Sequence, residues 1–199
     1  VTARIDKIVT SGTFSLDGGD WAVDNNVWIV GDDSECVVLD APHDADAIVA
    51  AIGGRRLLAI LCTHAHNDHV NAAVALSTAT SAPIWLHPDD RELWAATHPD
   101  HDPDAWIGDG DQFPVAGTML HAIHTPGHTW GSVCYRSEDL GCVFTGDTLF
   151  RGGPGATGRS FSDHATIVDS ISRRVFTLPS STQVHTGHGD DTTIAAETG

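Results

Sequence analysis

The stretch Leu57-Leu58-Ala59-Ile60-Leu61-Cys62-Thr63-His64-Ala65-His66-Asn67-Asp68-His69 carries most of the information in this chain. Its first six residues are an unbroken apolar run, the length of a buried strand and far short of the roughly 18 residues a membrane span needs. Thr63 ends the run. The following six residues hold His64, His66, Asp68 and His69. Where a strand gives way to a loop and a helix, four such side chains can converge on a small volume. Neutral imidazole suits zinc, iron and similar ions, and a carboxylate adds charge compensation and a harder oxygen donor. Packing explains the group poorly, because three histidines and an aspartate at a strand terminus are costly to bury for their own sake.

Upstream of this stretch, residues 27–30 and 36–39 are short apolar runs separated by Gly31-Asp32-Asp33-Ser34, which predicts a hairpin. Residues 44–52 predict a helix, with Asp44 near the start, Ile48 and Ile52 four apart, and Gly53-Gly54 as the stop. Downstream, the alanine-rich residues 70–76 predict a helix, and Pro83 introduces a strand at 84–87. Strand and helix therefore alternate through the first half, as in layered α/β proteins. The second half is richer in strands, at residues 119–124, 132–136 and 141–145, with a turn at 137–140. A helix over 163–176 places Ile167, Ile171 and Val175 on one face, and a last strand covers 183–185. The polar residues 98–111 read as a loop, either over a site or as a surface connection.

Three later segments add ligand candidates. Thr125-Pro126-Gly127-His128-Thr129 puts a histidine in a rigid turn after a strand. Phe144-Thr145-Gly146-Asp147-Thr148-Leu149-Phe150 sets one aspartate between apolar flanks that would bury it. A buried carboxylate needs a partner, and a metal cation is the strongest available. Thr186-Gly187-His188-Gly189 places a histidine between glycines, where backbone can approach closely. Each segment is weak by itself. Together with residues 64–69 they form a set.

In content and order these motifs resemble the metallo-β-lactamase superfamily, from about residue 27 to residue 189. The resemblance implies an α/β fold, a four-layer αβ/βα sandwich of two mixed sheets flanked by helices, with metals at one edge between the sheets. Residues 1–199 are expected to form a single such domain. By motif, the resemblance assigns His64, His66 and His128 to one metal, Asp68, His69 and His188 to a second, and Asp147 to both. Two divalent ions are implied, with zinc first and iron or manganese as alternatives. Asp147 and the run 144–150 resemble the glyoxalase II-like branch, and the short distance from His188 to residue 199 its single-domain type. The implied activity is hydrolysis of a thioester of a small thiol carrier, S-acyl glutathione or a mycothiol-type thiol. A metal-bound hydroxide is the nucleophile and Asp68 helps orient it.

By the same resemblance, Gly158-Arg159-Ser160-Phe161 occupies the place of the family's carrier-contacting segment. Arg159 becomes the candidate for a substrate carboxylate and Phe161 for packing on the substrate, although Phe161 lacks the hydroxyl a tyrosine would offer. Persulfide dioxygenases resemble this sequence too. They bind a single iron through positions that would be His64, His128 and Asp147, a facial triad. Other ester hydrolases such as lactonases share the fold, and a non-catalytic metal-binding domain is the reading from a different class. Asp40 is expected to brace residues 64–69, His124 to orient a ligand, and His164 to line the entrance; the remaining histidines, His43 and His87 among them, read as surface or supporting side chains.

Composition sets the outer bounds. Ten Lys and Arg face 27 Asp and Glu, for a formal net charge of −17. That charge opposes nucleic acid and anionic membranes as partners, while a bound divalent metal would create a local positive site. The expected partner is a small-molecule thioester, and a homodimer is left open. Cys36, Cys62, Cys134 and Cys142 form no CxxC pair, which predicts reduced, mostly buried thiols and a cytoplasmic location. Val1 begins neither a basic n-region nor an apolar h-region, so no secretory signal is expected.

Overall fold

The computed structural model describes residues 3–199. The chain opens with a long antiparallel ribbon, β1 (Arg4–Leu16) and β2 (Gly19–Gly31), turning at Asp17-Gly18. Both turn residues have positive φ, 52° and 78°, which suits a two-residue hairpin whose twist matches its strands. The sequence reading placed no element before residue 27, so this ribbon is new. Strand β3 (Glu35–Leu39) pairs antiparallel with β2 and completes the expected hairpin.

Helix α1 (Ala45–Ile52) is capped by Asp44, whose carboxylate accepts the Ala47 N–H at 2.9 Å, and it stops at Gly53 with φ 66°. The buried strand becomes β4 (Arg56–Leu61), parallel to β3. The helix expected at 70–76 is instead two short helices, α2 (Asn67–Val70) and α3 (Ala73–Thr80). Strand β5 (Ile84–Leu86), helix α4 (Arg91–Thr97) and strand β6 (Ala105–Trp106) follow, giving a first mixed sheet in the order β1-β2-β3-β4-β5-β6. The polar segment 98–111 contributes the edge strand β6, and none of it lines the cleft described below.

The second half supplies β7 (Gln112–Val115), β8 (Thr118–His124), β9 (Val133–Ser137) and β10 (Cys142–Gly146). A small ribbon, β11 (Leu149–Phe150) with β12 (Gly153–Pro154), stands apart. Helix α5 (His164–Ser170) gives way to a π-helical turn, Ile171–Val175, so the predicted helix is α-helical only in its first half. Its apolar face survives the change, since Ile167, Ile171 and Val175 are all buried. Strands β13 (Gln183–Thr186) and β14 (Thr192–Thr193) and helix α6 (Ile194–Thr198) finish the chain. The second sheet runs β14-β13-β10-β9-β8-β7.

Side-chain alternation builds the layers. Ile29, Val38 and Ile60 face α1, α3 and α4 with Ile48, Leu76 and Trp94, whereas Trp28, Val37, Leu39 and Leu61 face the other way and pack with Leu120, Tyr135 and Phe144 of the second sheet. Behind that sheet, Val143 and Val184 meet Ile167 and Ile171. The result is the four-layer α/β sandwich of two mixed sheets that the motifs implied. No helix is long and apolar enough to cross a membrane.

Direction decides where the loops go. β10 is parallel to β13, and β8 and β10 are both antiparallel to β9. The C-terminal ends of β8, β10 and β13 therefore share one edge of the second sheet. Tyr135 Oη donates to the Cys62 carbonyl at 2.7 Å and the Val133 N–H to the Thr63 carbonyl at 2.7 Å, which ties the end of β4 to that same edge. The four cysteines are free and buried among these layers.

Candidate metal centre

All seven predicted ligands follow the C-terminal ends of β4, β8, β10 and β13, five in loops and Asp68 and His69 in α2, and the fold brings them together. His66 Nδ1 is 3.1 Å from His64 Nε2 and 3.0 Å from His128 Nε2. For zinc–nitrogen bonds of about 2.0–2.1 Å, a tetrahedral site has nitrogen–nitrogen edges of roughly 3.3 Å, so the three donors suit one ion. Next to them, His69 Nε2 is 3.2 Å from His188 Nε2, and Asp68 Oδ2 is 3.6 Å and 3.4 Å from the same two nitrogens. Asp147 sits between the trios. Its Oδ1 is 3.3 Å from His69 Nε2, and its Oδ2 is 3.4 Å from His188 Nε2 and 3.6 Å from His128 Nε2.

The outward nitrogens explain why the inner ones converge. His69 Nδ1 donates to Asp40 Oδ2 (2.8 Å), His128 Nδ1 to the Ala156 carbonyl (2.9 Å) and His188 Nδ1 to the Asp24 carbonyl (2.7 Å). His64 Nδ1 faces Thr63 Oγ1 at 3.0 Å, whose own proton goes to Asp40. With those N–H groups committed, Nε2 of each ring is left to present a lone pair inward. Asp40 also accepts the Thr63 N–H at 2.7 Å, the brace that was expected of it. Asp147 Oδ1 is buried without a hydrogen-bond partner. Gly187 makes room for it, because a Cβ at that position would overlap Oδ1.

Electrostatics divides the five imidazoles. Burial, reinforced by neighbouring rings, pushes His64 well below the usual imidazole range and His66 down to about 3; burial also lowers His128. Burial opposes charge on His69 and His188 as well, but there Asp147 and Asp68 outweigh it, raising His69 well above its usual value and His188 to about 10. The carboxylates respond in kind. Burial resists their ionisation, yet His69 and His188 bring Asp147 well below the ordinary carboxylate range and Asp68 to about 2. Without metal, Asp68 and Asp147 keep His69 and His188 protonated; a divalent cation would displace those protons and meet two ionised carboxylates and five imidazole nitrogens, a donor set suited to it.

The sequence profile of the metallo-beta-lactamase superfamily matches residues 20–188. The chain belongs to that superfamily. A hydroxyacylglutathione hydrolase from Aeromonas salmonicida is 35% identical over 170 residues, covering 83% of this chain and 61% of that enzyme. The chain thus spans less than two thirds of that relative. Among solved structures, BLEG-1, a B3 metallo-beta-lactamase, superposes with a TM-score of 0.80 at 28% identity, over 94% of this chain and 95% of that one. TTHA1623, solved in a di-iron-bound form, gives 0.77 at 29% identity over 95% and 96%. ETHE1 from Myxococcus xanthus gives 0.73 at 27% identity over 94% and 80%.

In this superfamily member the cluster floors a cleft of about 490 Å³, one wall of which is the outer part of the β1–β2 ribbon: Phe14, Leu16, Trp21 and Val23. Arg159 lies at the cleft with its guanidinium 3.7 Å from the Trp21 ring centroid and 5.5 Å from that of Phe14. Of the ten Lys and Arg, the other nine each have a carboxylate oxygen within 4.0 Å; Arg159 has none among the described residues. Phe161, by contrast, does not line the cleft. Its backbone turns at φ 67° and its ring packs against the core beneath the first sheet, so Ser160 and Ser162 face the cleft in its place.

Two further expectations fail. His124 donates its Nε2 proton to the Trp130 carbonyl (2.8 Å) and stacks on His87 at 4.0 Å, so it orients no ligand. Those two rings and Asp89 bring ligand atoms together, but rings only 13° from parallel send their lone pairs along separate planes. His164 does not line the cleft. Sequence reasoning also missed Asp90. This carboxylate, 1% exposed, accepts the Ala65 N–H (2.9 Å), the Thr129 hydroxyl (2.8 Å) and the Gly131 N–H (2.7 Å). It therefore clamps the loop of His64 and His66 to the turn of His128. Nothing local in Pro88-Asp89-Asp90 distinguishes Asp90 from its neighbour.

Proposed function

We propose that this chain is a metal-dependent hydrolase of thioesters carried by a small thiol of the S-acyl glutathione or mycothiol type, acting in the cytoplasm. The observation that carries the reading is Asp147, which directs one oxygen toward His69 and the other toward His128 and His188. In this reading His64, His66 and His128 hold one divalent ion, Asp68, His69 and His188 a second, and Asp147 touches both. Zinc is the first candidate, with iron and manganese behind it. Such ions lower the pKa of bound water toward neutrality and polarise a carbonyl oxygen.

The chain's own groups set the rest. Burial lifts Cys36 and Cys134 to about 11, Cys142 to about 12 and Cys62 well above its usual value, so no thiolate is available to attack and water is the nucleophile. Asp68, at the cleft floor, orients that water. Phe14, Leu16 and Trp21 exclude solvent from the acyl group, and Arg159, free of internal carboxylates, receives a carboxylate of the carrier. A thiol with pKa near 8.5 departs as thiolate without a proton from the protein, which suits a cleft equipped for a thioester. The hydroxyacylglutathione hydrolase relative and the di-iron-bound structural neighbour support this reading.

Similarity to ETHE1 supports a second reading, persulfide oxygenation with one iron on His64, His128 and Asp147. One experiment separates the two. Metal-loaded protein is assayed for free-thiol release from a panel of S-acyl thiols that includes S-lactoylglutathione, and for oxygen uptake with a persulfide. Release that disappears on chelation is the expected result. Oxygen uptake with no release from any panel member would overturn the hydrolase reading.

A further inference from the structure

A polar chain beside the cluster takes no part in the reaction above. His43 lies just beyond β3 with φ 60°, a backbone region uncommon for residues other than glycine. Gly12 of β1 admits its ring, because a Cβ there would overlap it. Asn71, in the break between α2 and α3, grips His43 twice: its Oδ1 accepts the His43 N–H at 2.5 Å, and its Nδ2 donates to His43 Nδ1 at 3.1 Å. An amide nitrogen only donates, so Nδ1 is the acceptor and the ring proton is on Nε2. That proton goes to Asn25 Oδ1 at 2.8 Å. Asn25 is thereby turned with Nδ2 toward Asp68 Oδ2, 3.0 Å away, and 3.4 Å from His188 Nε2. A carboxylate accepts and never donates, so the three side-chain hydrogen bonds that lead from Asn71 through His43 and Asn25 to Asp68 all run in the same direction.

We propose that His43 is a positioning residue for the Asp68–His69–His188 ligand set. Acting through Asn25, it engages one lone pair of Asp68 Oδ2 and leaves the other turned toward His69 and His188. It thereby sets how tightly that position holds its divalent ion without touching the ion. The proposal rests on the two-ion reading above. Four residues distant in sequence serve this one arrangement: Gly12 as the space, Asn71 as the anchor, His43 as the lever and Asn25 as the contact.

The test is a stepwise zinc titration against a chromophoric chelator for wild type, His43→Gly, Asn25→Ala and the double variant, with melting temperatures of the metal-stripped proteins. Glycine is the least strained residue at φ 60°, so His43→Gly removes the ring while relieving the backbone. Wild type should bind two ions. His43→Gly should keep the tighter affinity and lose about 10- to 100-fold in the weaker one, the range for removing an outer partner of a ligand, while the metal-stripped variant still melts in one cooperative transition. Asn25→Ala should show the same selective loss, and the double variant should be no worse, because the two act in series. Equal loss at both positions, or an unchanged second affinity in either single variant, overturns the proposal. Asn25→Ala leaves His43 in place, so the test survives if His43→Gly does not fold. A wild type that takes up one ion overturns the two-ion reading itself.

Discussion

Replacing Asp90 by alanine should destabilise the protein by an amount that depends on pH in an unusual direction. The substitution removes the acceptor of three buried donors. The Thr129 hydroxyl keeps Ser132 Oγ as a partner at 2.8 Å, but the N–H groups of Ala65 and Gly131 are left without one. At about 1–3 kcal/mol for each orphaned buried donor, the loss at pH 7.5 is roughly 2–6 kcal/mol. At 2–4 °C per kcal/mol for a chain of this size, that is a melting-temperature drop of at least about 4 °C. Burial raises the Asp90 carboxyl from 3.8 to about 6 despite those donors. The folded protein therefore binds this proton more tightly than the unfolded chain does. The associated stabilisation is complete below 3.8 and vanishes as pH rises through about 6. At pH 5, one unit below the folded value, wild type should gain about 1.4 kcal/mol that the alanine variant cannot. Urea unfolding of both proteins at pH 7.5 and pH 5 measures the gap at each pH. Equal stabilities at pH 7.5, or a gap that narrows on acidification, would refute the clamp.

Other consequences are sharper at the cleft. His66→Ala should abolish thiol release, by at least about a hundredfold in kcat, while circular dichroism shows an intact fold. Arg159→Ala should raise KM about tenfold for carriers with a carboxylate and leave kcat nearly unchanged, and a neutral carrier should show no such rise. Gly187→Ala places a methyl group over Asp147 Oδ1, so the purified protein should hold at least one metal equivalent fewer than wild type by elemental analysis.

Much of the architecture was legible because its signals are local. The apolar run 57–62 became β4, Asp44 and Gly53 bounded α1, and the four-residue spacing of Ile167, Ile171 and Val175 marked a buried face. The β1–β2 ribbon escaped notice for a physical reason. Its outer half alternates exposed with half-buried residues, but the inward positions include Thr10 and Gly12, so the period of two carries little apolar signal. Asn71-Ala72 interrupts an alanine-rich run that reads as one helix, because the Ala72 N–H leaves the helical ladder and donates to the Ala41 carbonyl at 3.0 Å.

The identity of the metal-ligand candidates was available from the sequence because the donor chemistry of histidine and aspartate belongs to the residue itself, and because each candidate stands at a strand end that periodicity locates. Which residues support and surround them was not. Asp90 and Asp89 are neighbours of the same type, yet only Asp90 is buried against Ala65, Thr129 and Gly131. Phe161 and Ser160 are adjacent, and a positive φ turns the half-buried aromatic ring against the core and leaves the serine at the cleft. Arg159 is one arginine among nine until the ion pairs of the folded chain account for every other cation. These distinctions depend on strand direction, backbone handedness and contacts between residues far apart in the chain, none of which a local pattern of residue types encodes.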